Sequence, residues 1–463
     1  MRDESSTLPQ SSTRRLSRST FSAFDETSDS ARISRFIIVL FAANVISAVL
    51  FIGLVNRPAY DDPYNIFDVH NYATRGLSVG TLLSQRNPPG PTSFLWMAAG
   101  VRFLGGDELR DARIANLMSW LLLGAGVLIG AKYSSSPQLW YGALLVLLVF
   151  PHTLEATATI LTEGPALLFA VAGILAWIEF ASRPSITPRL FALGMLGGIL
   201  MGLAVTCRQY YLALLPAAAL FAFYQWRRLA SQEKFRWLAG VILSLVLTAI
   251  PVILLVLVWK GISSPGMATG TSYNHAWKAT VGRNLSRPIV VAFYVSAYLL
   301  PFTFPAMFQL KASQRRIGLL VAVLGGIGVT YFSSLFLQPG PLNSLIRMAS
   351  RLPYGGTVLF AVIAIGVIYN AASVCCLLWE QRHSLSSRAP VVFAIFAVAF
   401  FIVEQFGVGG NLPFYDRYVL QIAPFLGLIA FTILPRVTPS RLTALACLSL
   451  LSHGMLWRFA FGP

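Results

Sequence analysis

The sequence predicts an all-α, polytopic membrane protein of about thirteen transmembrane helices, with an amphipathic juxtamembrane helix in its first external loop. Three observations carry that expectation. Of the 463 residues 56% are hydrophobic and only 11% charged, and mean hydropathy is +0.67, against about 45–50% apolar and about 25% charged in a soluble globular chain. Apolar runs of spanning length recur from Phe36 almost to the C-terminus. The net charge is +17, and all but one unit of it belongs to the residues after Arg35. It does not form a nucleic-acid-binding tail, because Met1 to Arg35 holds six Arg against five acids. The four cysteines all lie inside apolar runs, so neither a disulfide framework nor a CxxC metal site is indicated.

Residues 1–35 are Ser/Thr-rich, mix charges of both signs and lack apolar periodicity, the composition of a disordered segment. They read as a cytoplasmic tail, with residues 36–463 as one membrane domain. The tail is no signal peptide, since its first apolar run starts only at Phe36 and no small-residue cleavage site follows. Phe36 to Val55 is a charge-free stretch of about 20 residues, enough for a hydrocarbon core of roughly 30 Å. Further runs follow at Ile114 to Gly130, Leu139 to Phe150, Pro165 to Phe180, Leu190 to Val205, Tyr211 to Trp226 and Trp237 to Trp259. The rest are Ile289 to Met307, Ile317 to Leu337, Thr357 to Leu378, Val391 to Ile402, Tyr418 to Leu434 and Leu442 to Trp457.

Lys and Arg should concentrate in cytoplasmic loops. With the tail inside, the inner side after the tail holds fourteen cations and three acids, and the outer side fifteen cations and ten acids. The short loops thus favour a cytoplasmic N-terminus, and the polar chemistry gathers on the outer face. Thirty Arg against five Lys tilt the location towards a bacterial plasma membrane, with the endoplasmic reticulum as the alternative.

The first outer segment opens with Asp61 and Asp62, within roughly 20–25 Å of the end of the first span even if fully extended. Adjacent carboxylates raise one another's pKa, which can poise one as a general base. Asp62 followed by Pro63 also reads as an N-cap and N1 pair, which leaves Asp61 as the preferred base. A helix over about Pro63 to Arg75 would place Ile66, Val69 and Ala73 on one stripe, and Asn65, Asp68, Tyr72 and Arg75 on another in line with Asp61. Such a helix suits the headgroup plane. Asp68 and His70 are candidates for acceptor or metal binding, although a DxH triplet equally suits hydrogen-bonded or solvated side chains. The stretch Gln85 to Pro91 (QRNPPGP) forces a break before the chain returns to the membrane.

The order of YDDPYNIFDVHNYATRGL, NPPGPTSFLWMAAGVRFLGG and ELRDARIANLMSWLLL resembles the GT-C superfamily of integral-membrane glycosyltransferases. FPHTLEATATILTEGPALLFA resembles that family's external turn between two spans. TCRQYY resembles the Arg-Gln motif of dolichyl-phosphate-glucose-dependent glucosyltransferases, and FYDRYVLQIAPFLGL the closing Arg-Tyr span. The resemblance runs from about Phe36 to Leu434 in short motifs, and this chain carries Asp-Asp where Asp-Glu is commoner. It implies a hexosyl or pentosyl transfer from a polyprenyl-phosphate sugar to a lipid or glycan acceptor on the non-cytoplasmic face, with Asp61 as base and Asp62 in support.

A leaving lipid phosphate needs cations in a partly dehydrated site. Arg208, Arg417, Arg283 and Arg351 are the candidate phosphate-binding residues, and the first two are the sharper because each interrupts a near-continuous apolar stretch. Attraction of such arginines to anionic headgroups, or a local pair between Arg417 and Asp416, is the bland alternative. Glu155, Glu163 and His275 join Asp68 and His70 as acceptor or metal candidates, a divalent cation such as Mg or Mn being an open possibility. His152 and Glu155 share a helix face, more in keeping with a structural histidine. Phosphate loops, GxGxxG, HExxH and GxSxG are all missing from the sequence. A lipid-linked glycan transporter or flippase is the competing class, but it calls for charges near mid-membrane and a repeat between halves, neither of which is evident. A scaffold role leaves the paired acid unexplained.

Overall fold

The computed structural model describes residues 26–461 apart from 60, 88–89, 135, 185, 230, 262–263, 269–285, 338–340, 386–387, 407–415 and 435–437. Among the described residues every regular element is a helix. In chain order they begin with α1 (Glu26–Leu54), α2 (Asp62–Arg75), α3 (Val79–Ser84), α4 (Pro91–Leu104), α5 (Glu108–Tyr133) and α6 (Pro137–Val149). Then come α7 (Thr153–Ala158), α8 (Glu163–Ala181), α9 (Pro188–Cys207), α10 (Leu214–Trp226) and α11 (Ser231–Trp259). The later long helices are Ser286–Thr303, Ala312–Tyr331, Gly355–Glu380, Ala389–Glu404, Ala423–Ile433 and Pro439–Phe461.

Each apolar run read from the sequence falls on one of these helices or on the short 3-10 turns that flank them. Among the described residues eight helical segments are long and apolar enough to cross a membrane, and Pro137–Val149, Ala389–Glu404 and Arg417–Ile433 are shorter apolar helices. The protein is an integral, multi-pass membrane protein. The apolar segment Phe94 to Leu104 falls within α4. One expectation shifts: α1 starts at Glu26, so the end of the supposed tail is helical, because adding polar turns to a nucleated helix costs little.

Local signals set the helix starts. Asp107 caps α5, accepting from the amides of Leu109 at 2.8 Å and Arg110 at 3.2 Å, and Lys132 in its last turn complements the helix dipole. Thr187 caps α9 ahead of Pro188. The spans Lys234–Trp259 and Ala312–Tyr331 are only 17% buried and carry exposed Ile253, Leu257, Leu320 and Leu324, as befits helices whose solvent is lipid.

Close backbone contact fixes the centre of the bundle. A Cβ at Gly173 would stand 2.9 Å from the Met201 nitrogen, and one at Gly197 2.8 Å from the Gly173 carbonyl oxygen. Small residues of this kind let membrane helices approach closely. The antiparallel hairpin of α8 and α9 therefore brings the start of α8 and the end of α9, hence Glu163 and Arg208, to the same end of the bundle. Gly90 adds the break before α4 to that end. Its N–H donates to the Cys207 carbonyl at 2.9 Å, and a Cβ there would fall 1.8 Å from the Thr206 oxygen.

Candidate active site

Asp61 and Asp62 are adjacent in sequence and opposite in environment. The cap position belongs to Asp61, one residue earlier than the Asp-Pro signal suggests, and its side chain makes no hydrogen bond to the helix it precedes. Its Oδ2 instead lies 2.5 Å from Arg417 Nη2, with the carboxylate side chain 33% exposed. Asp62 opens α2 and is fully buried. Its Oδ2 accepts from Arg113 Nη2 at 2.6 Å, from Arg113 Nε at 3.2 Å and from the Ala59 amide at 2.9 Å. Its Oδ1 accepts from the Ile160 amide at 2.5 Å. Arg113 spends its other protons on the Val55 carbonyl at 2.6 Å and the Arg57 carbonyl at 2.9 Å. Burial pushes the Asp62 carboxyl above its usual range, against the pull of Arg113 and the two amides. With both oxygens engaged, Asp62 ties the end of α1, the start of α2, α5 and the turn before α8 together.

Around Asp61 the chain gathers charge from distant positions. Glu163, fully buried at the first residue of α8, accepts from Arg208, the residue that caps the end of α9. Arg417 opens a 3-10 helix over Asp416–Ile422 and lies within electrostatic reach of both Glu163 and Arg208. The Tyr418 ring sits between the two guanidiniums, 5.8 Å from Arg208 and 5.6 Å from Arg417, distances within the range of cation–π attraction. Tyr210 packs on Tyr418 with ring centroids 4.9 Å apart. Several buried polar atoms on these elements have no hydrogen-bond partner: Glu163 Oε2, Arg208 Nε, Thr162 Oγ1 and both side-chain polar atoms of Gln421. Native interiors rarely leave such atoms unmatched, and among the described residues these fall on the elements that carry the two ion pairs.

The turn between α7 and α8 holds the cluster in register. Asn116 Nδ2 donates to the Ala156 carbonyl at 2.6 Å and the Thr159 carbonyl at 2.7 Å, and Asn65 Nδ2 donates to the Ile160 carbonyl at 2.6 Å. Asn65, Asp68 and Tyr72, from the stripe in line with Asp61, are buried against the protein.

The other candidates divide clearly. Asp68 is buried and clamps the loop after α3: its Oδ1 accepts from the Arg86 amide at 3.0 Å, its Oδ2 from the Asn87 amide at 2.9 Å and Asn87 Nδ2 at 2.8 Å. Burial still raises its pKa to about 6. His70 is exposed, with Nδ1 at 3.1 Å from Glu108. Glu155 is buried between His152 Nδ1 at 3.0 Å and Arg458 Nη2 at 2.9 Å, so His152 has the structural role its spacing suggested. Arg351 is exposed in the turn before the Gly355–Glu380 helix. His275 and Arg283, and the Asp416 side chain, lie outside the described residues. Among the described residues no group of three or more His, Cys, Asp or Glu side chains could hold a metal ion, and Asp61 and Glu163 are each paired with a guanidinium. Arg113, Tyr418 and Gln421 were not foreseen, since nothing local in the sequence announces partners so far along the chain.

No family model matches the chain, and no curated protein matches it. Among solved structures, ArnT from Cupriavidus metallidurans in the apo state is similar over 92% of this chain and 78% of its own, at 14% identity and a TM-score of 0.42. The same protein bound to undecaprenyl phosphate gives 93%, 79%, 14% and 0.43. The archaeal oligosaccharyltransferase AglB from Archaeoglobus fulgidus, in complex with an inhibitory peptide and a dolichol-phosphate, is similar over 89% of this chain and 56% of its own, at 12% identity and a TM-score of 0.38. At these values the functional reading rests on the site's own residues.

Proposed function

We propose that the protein is a GT-C-type glycosyltransferase that moves a sugar from a polyprenyl-phosphate carrier to a lipid or glycan acceptor on the non-cytoplasmic face of the membrane, with inversion at the anomeric carbon. The observation that carries this reading is a partly exposed carboxylate, Asp61, paired with Arg417 beside the buried Arg208–Glu163 pair at one end of a membrane-spanning bundle. The chemistry of a lipid-phosphate donor asks for that combination. Asp61 takes the proton of the acceptor hydroxyl as its oxygen bonds to C1 of the sugar. The C1–O bond to phosphate breaks, and its electron pair leaves with the phosphate oxygen. The products are the glycosylated acceptor and a polyprenyl phosphate whose added charge Arg208 and Arg417 stabilise.

The ion pair gives the cycle an order. While Arg417 Nη2 holds Asp61 Oδ2, that oxygen is occupied and not free to meet an acceptor hydroxyl. A donor phosphate competes for the same guanidinium, so donor binding frees Asp61 when proton abstraction is needed. Glu163 stays with Arg208 and limits the net charge buried there. The loop charges favour a cytoplasmic N-terminus, an orientation in which the site faces outside, and the arginine bias favours a bacterial plasma membrane over the endoplasmic reticulum.

Purified protein in nanodiscs, given a radiolabelled polyprenyl-phosphate sugar and a membrane extract as acceptor source, tests the reading. Label moving from carrier to acceptor supports it. Sugar crossing the bilayer still attached to its carrier, without transfer, assigns the chain to the flippases instead.

A further inference from the structure

A second polar concavity lies along α2, away from the ion-pair cluster. It is a groove of about 770 Å³ between α2, the loop after α3 and the residues around Pro265, with Phe67, His70, Asn71, Arg75, Arg86 and Gly266 in its lining. Two cations and no acid line it; the acid nearest His70, Glu108, is spent on His70 itself. The Arg86 guanidinium is stacked 3.6 Å from the Phe67 ring centroid, which fixes a planar donor at the groove wall. Asn71, 7% exposed, adds a neutral polar side chain to the lining.

The walls are built. Trp259 Nε1 and Ser264 Oγ donate to the Leu82 carbonyl at 2.9 and 3.0 Å. Gly266 packs so tightly that a Cβ would stand 2.7 Å from the Gln85 carbonyl oxygen. Asp68 holds the opposite wall through the amides of Arg86 and Asn87. At ~1.5 Å per helical residue, Phe67 lies about 9 Å and Arg75 about 21 Å along α2 from Asp61.

We propose that this groove binds an anionic group, a phosphate or carboxylate, on a glycan acceptor, and so selects acidic oligosaccharide chains. The spacing suits an acceptor of several sugars whose reacting hydroxyl reaches Asp61 while its anion rests between Arg75 and Arg86. The inference extends the transferase reading to the class of its acceptor, and its test does not depend on transfer.

Binding of maltotriose carrying one phosphate monoester, with maltotriose as the neutral control, is measured by calorimetry on the Asp61→Asn protein in zwitterionic nanodiscs. Expected is binding of the phosphorylated sugar only, weakened ~10-fold or more by Arg75→Gln with Arg86→Gln, the scale of losing charge-assisted hydrogen bonds, and restored in part by the two Arg→Lys changes. Asn71→Asp, a near-isosteric change, also weakens it. Equal binding of both sugars, indifference to the arginine changes in a protein of unchanged melting temperature, or no binding overturns the proposal. So does loss of the signal in phosphatidylglycerol nanodiscs, which assigns the groove to lipid headgroups. Arginine-dependent binding by a protein that transfers no sugar in its unsubstituted form keeps the groove and removes the transferase reading.

Discussion

Arg417 Nη2 and Asp61 Oδ2 meet at 2.5 Å across 356 residues of sequence, and the contact joins the start of α2 to the opening of the Arg417–Ile433 segment. A guanidinium shared between a carboxylate and an incoming phosphate is the element on which the proposed cycle turns. Arg417→Lys keeps the charge but loses the forked donor geometry. The expected outcome is a donor KM raised ~10-fold with protein yield unchanged, read from initial rates against donor concentration. An unaltered KM removes Arg417 from donor binding.

Asp62 presents the contrasting case. It is fully buried with four donors aimed at it, so Asp62→Ala strands Arg113 in the interior. Breaking such a pair costs about 3–5 kcal/mol, and the variant is expected to lose most of its melting transition in detergent. A stable variant with low transfer points instead to a direct part in the chemistry.

How far these roles were legible depends on the range of the interaction. The helices could be read because a spanning apolar run is a local signal, and so could the interruptions by Arg208 and Arg417. The pairing could not. Asp61 and Asp62 look alike in sequence, and only folding decides that one meets Arg113 from α5 while the other faces Arg417. The stripe of Asn65, Asp68 and Tyr72 could be read as in line with Asp61, but what it would touch could not. Its partners, the Ile160 carbonyl, the amides of Arg86 and Asn87, and Gln85 at 2.9 Å from the Tyr72 hydroxyl, are mostly backbone groups or lie in other elements, and no periodicity announces them.

Asp68 should leave a mark on the pH dependence of stability. Its pKa is raised from 3.8 to about 6 by burial, so the folded state holds this proton more tightly than the unfolded chain. Its contribution to stability is therefore full below about pH 4, falls as pH rises from about 4 to about 6, and is flat above, by about 3 kcal/mol in all. Asp68→Asn puts an NH2 group against the donors of Asn87 and is expected to remove this slope and loosen the loop after α3. Thermal melts of both proteins from pH 4 to pH 7 check it; equal slopes count against the assignment.

Gly90 tests the placement of the site by the fold. A Cβ 1.8 Å from the Thr206 oxygen must push the loop before α4 away from the end of α9, next to Arg208. Gly90→Ala is expected to cost about 1–3 kcal/mol and to lower transfer beyond the loss of folded protein. Wild-type melting and transfer would mean that the loop yields without cost.

The central claim is that Asp61 removes the acceptor's proton. Asp61→Asn keeps the side chain's size at a position 33% exposed, so the variant should fold and melt like the parent. General base catalysis is worth about 10²–10⁴-fold, and the turnover of radiolabelled polyprenyl-phosphate sugar by the variant in nanodiscs should fall by that factor with donor binding retained. Transfer at the parent's rate by a normally folded Asp61→Asn protein would contradict the account.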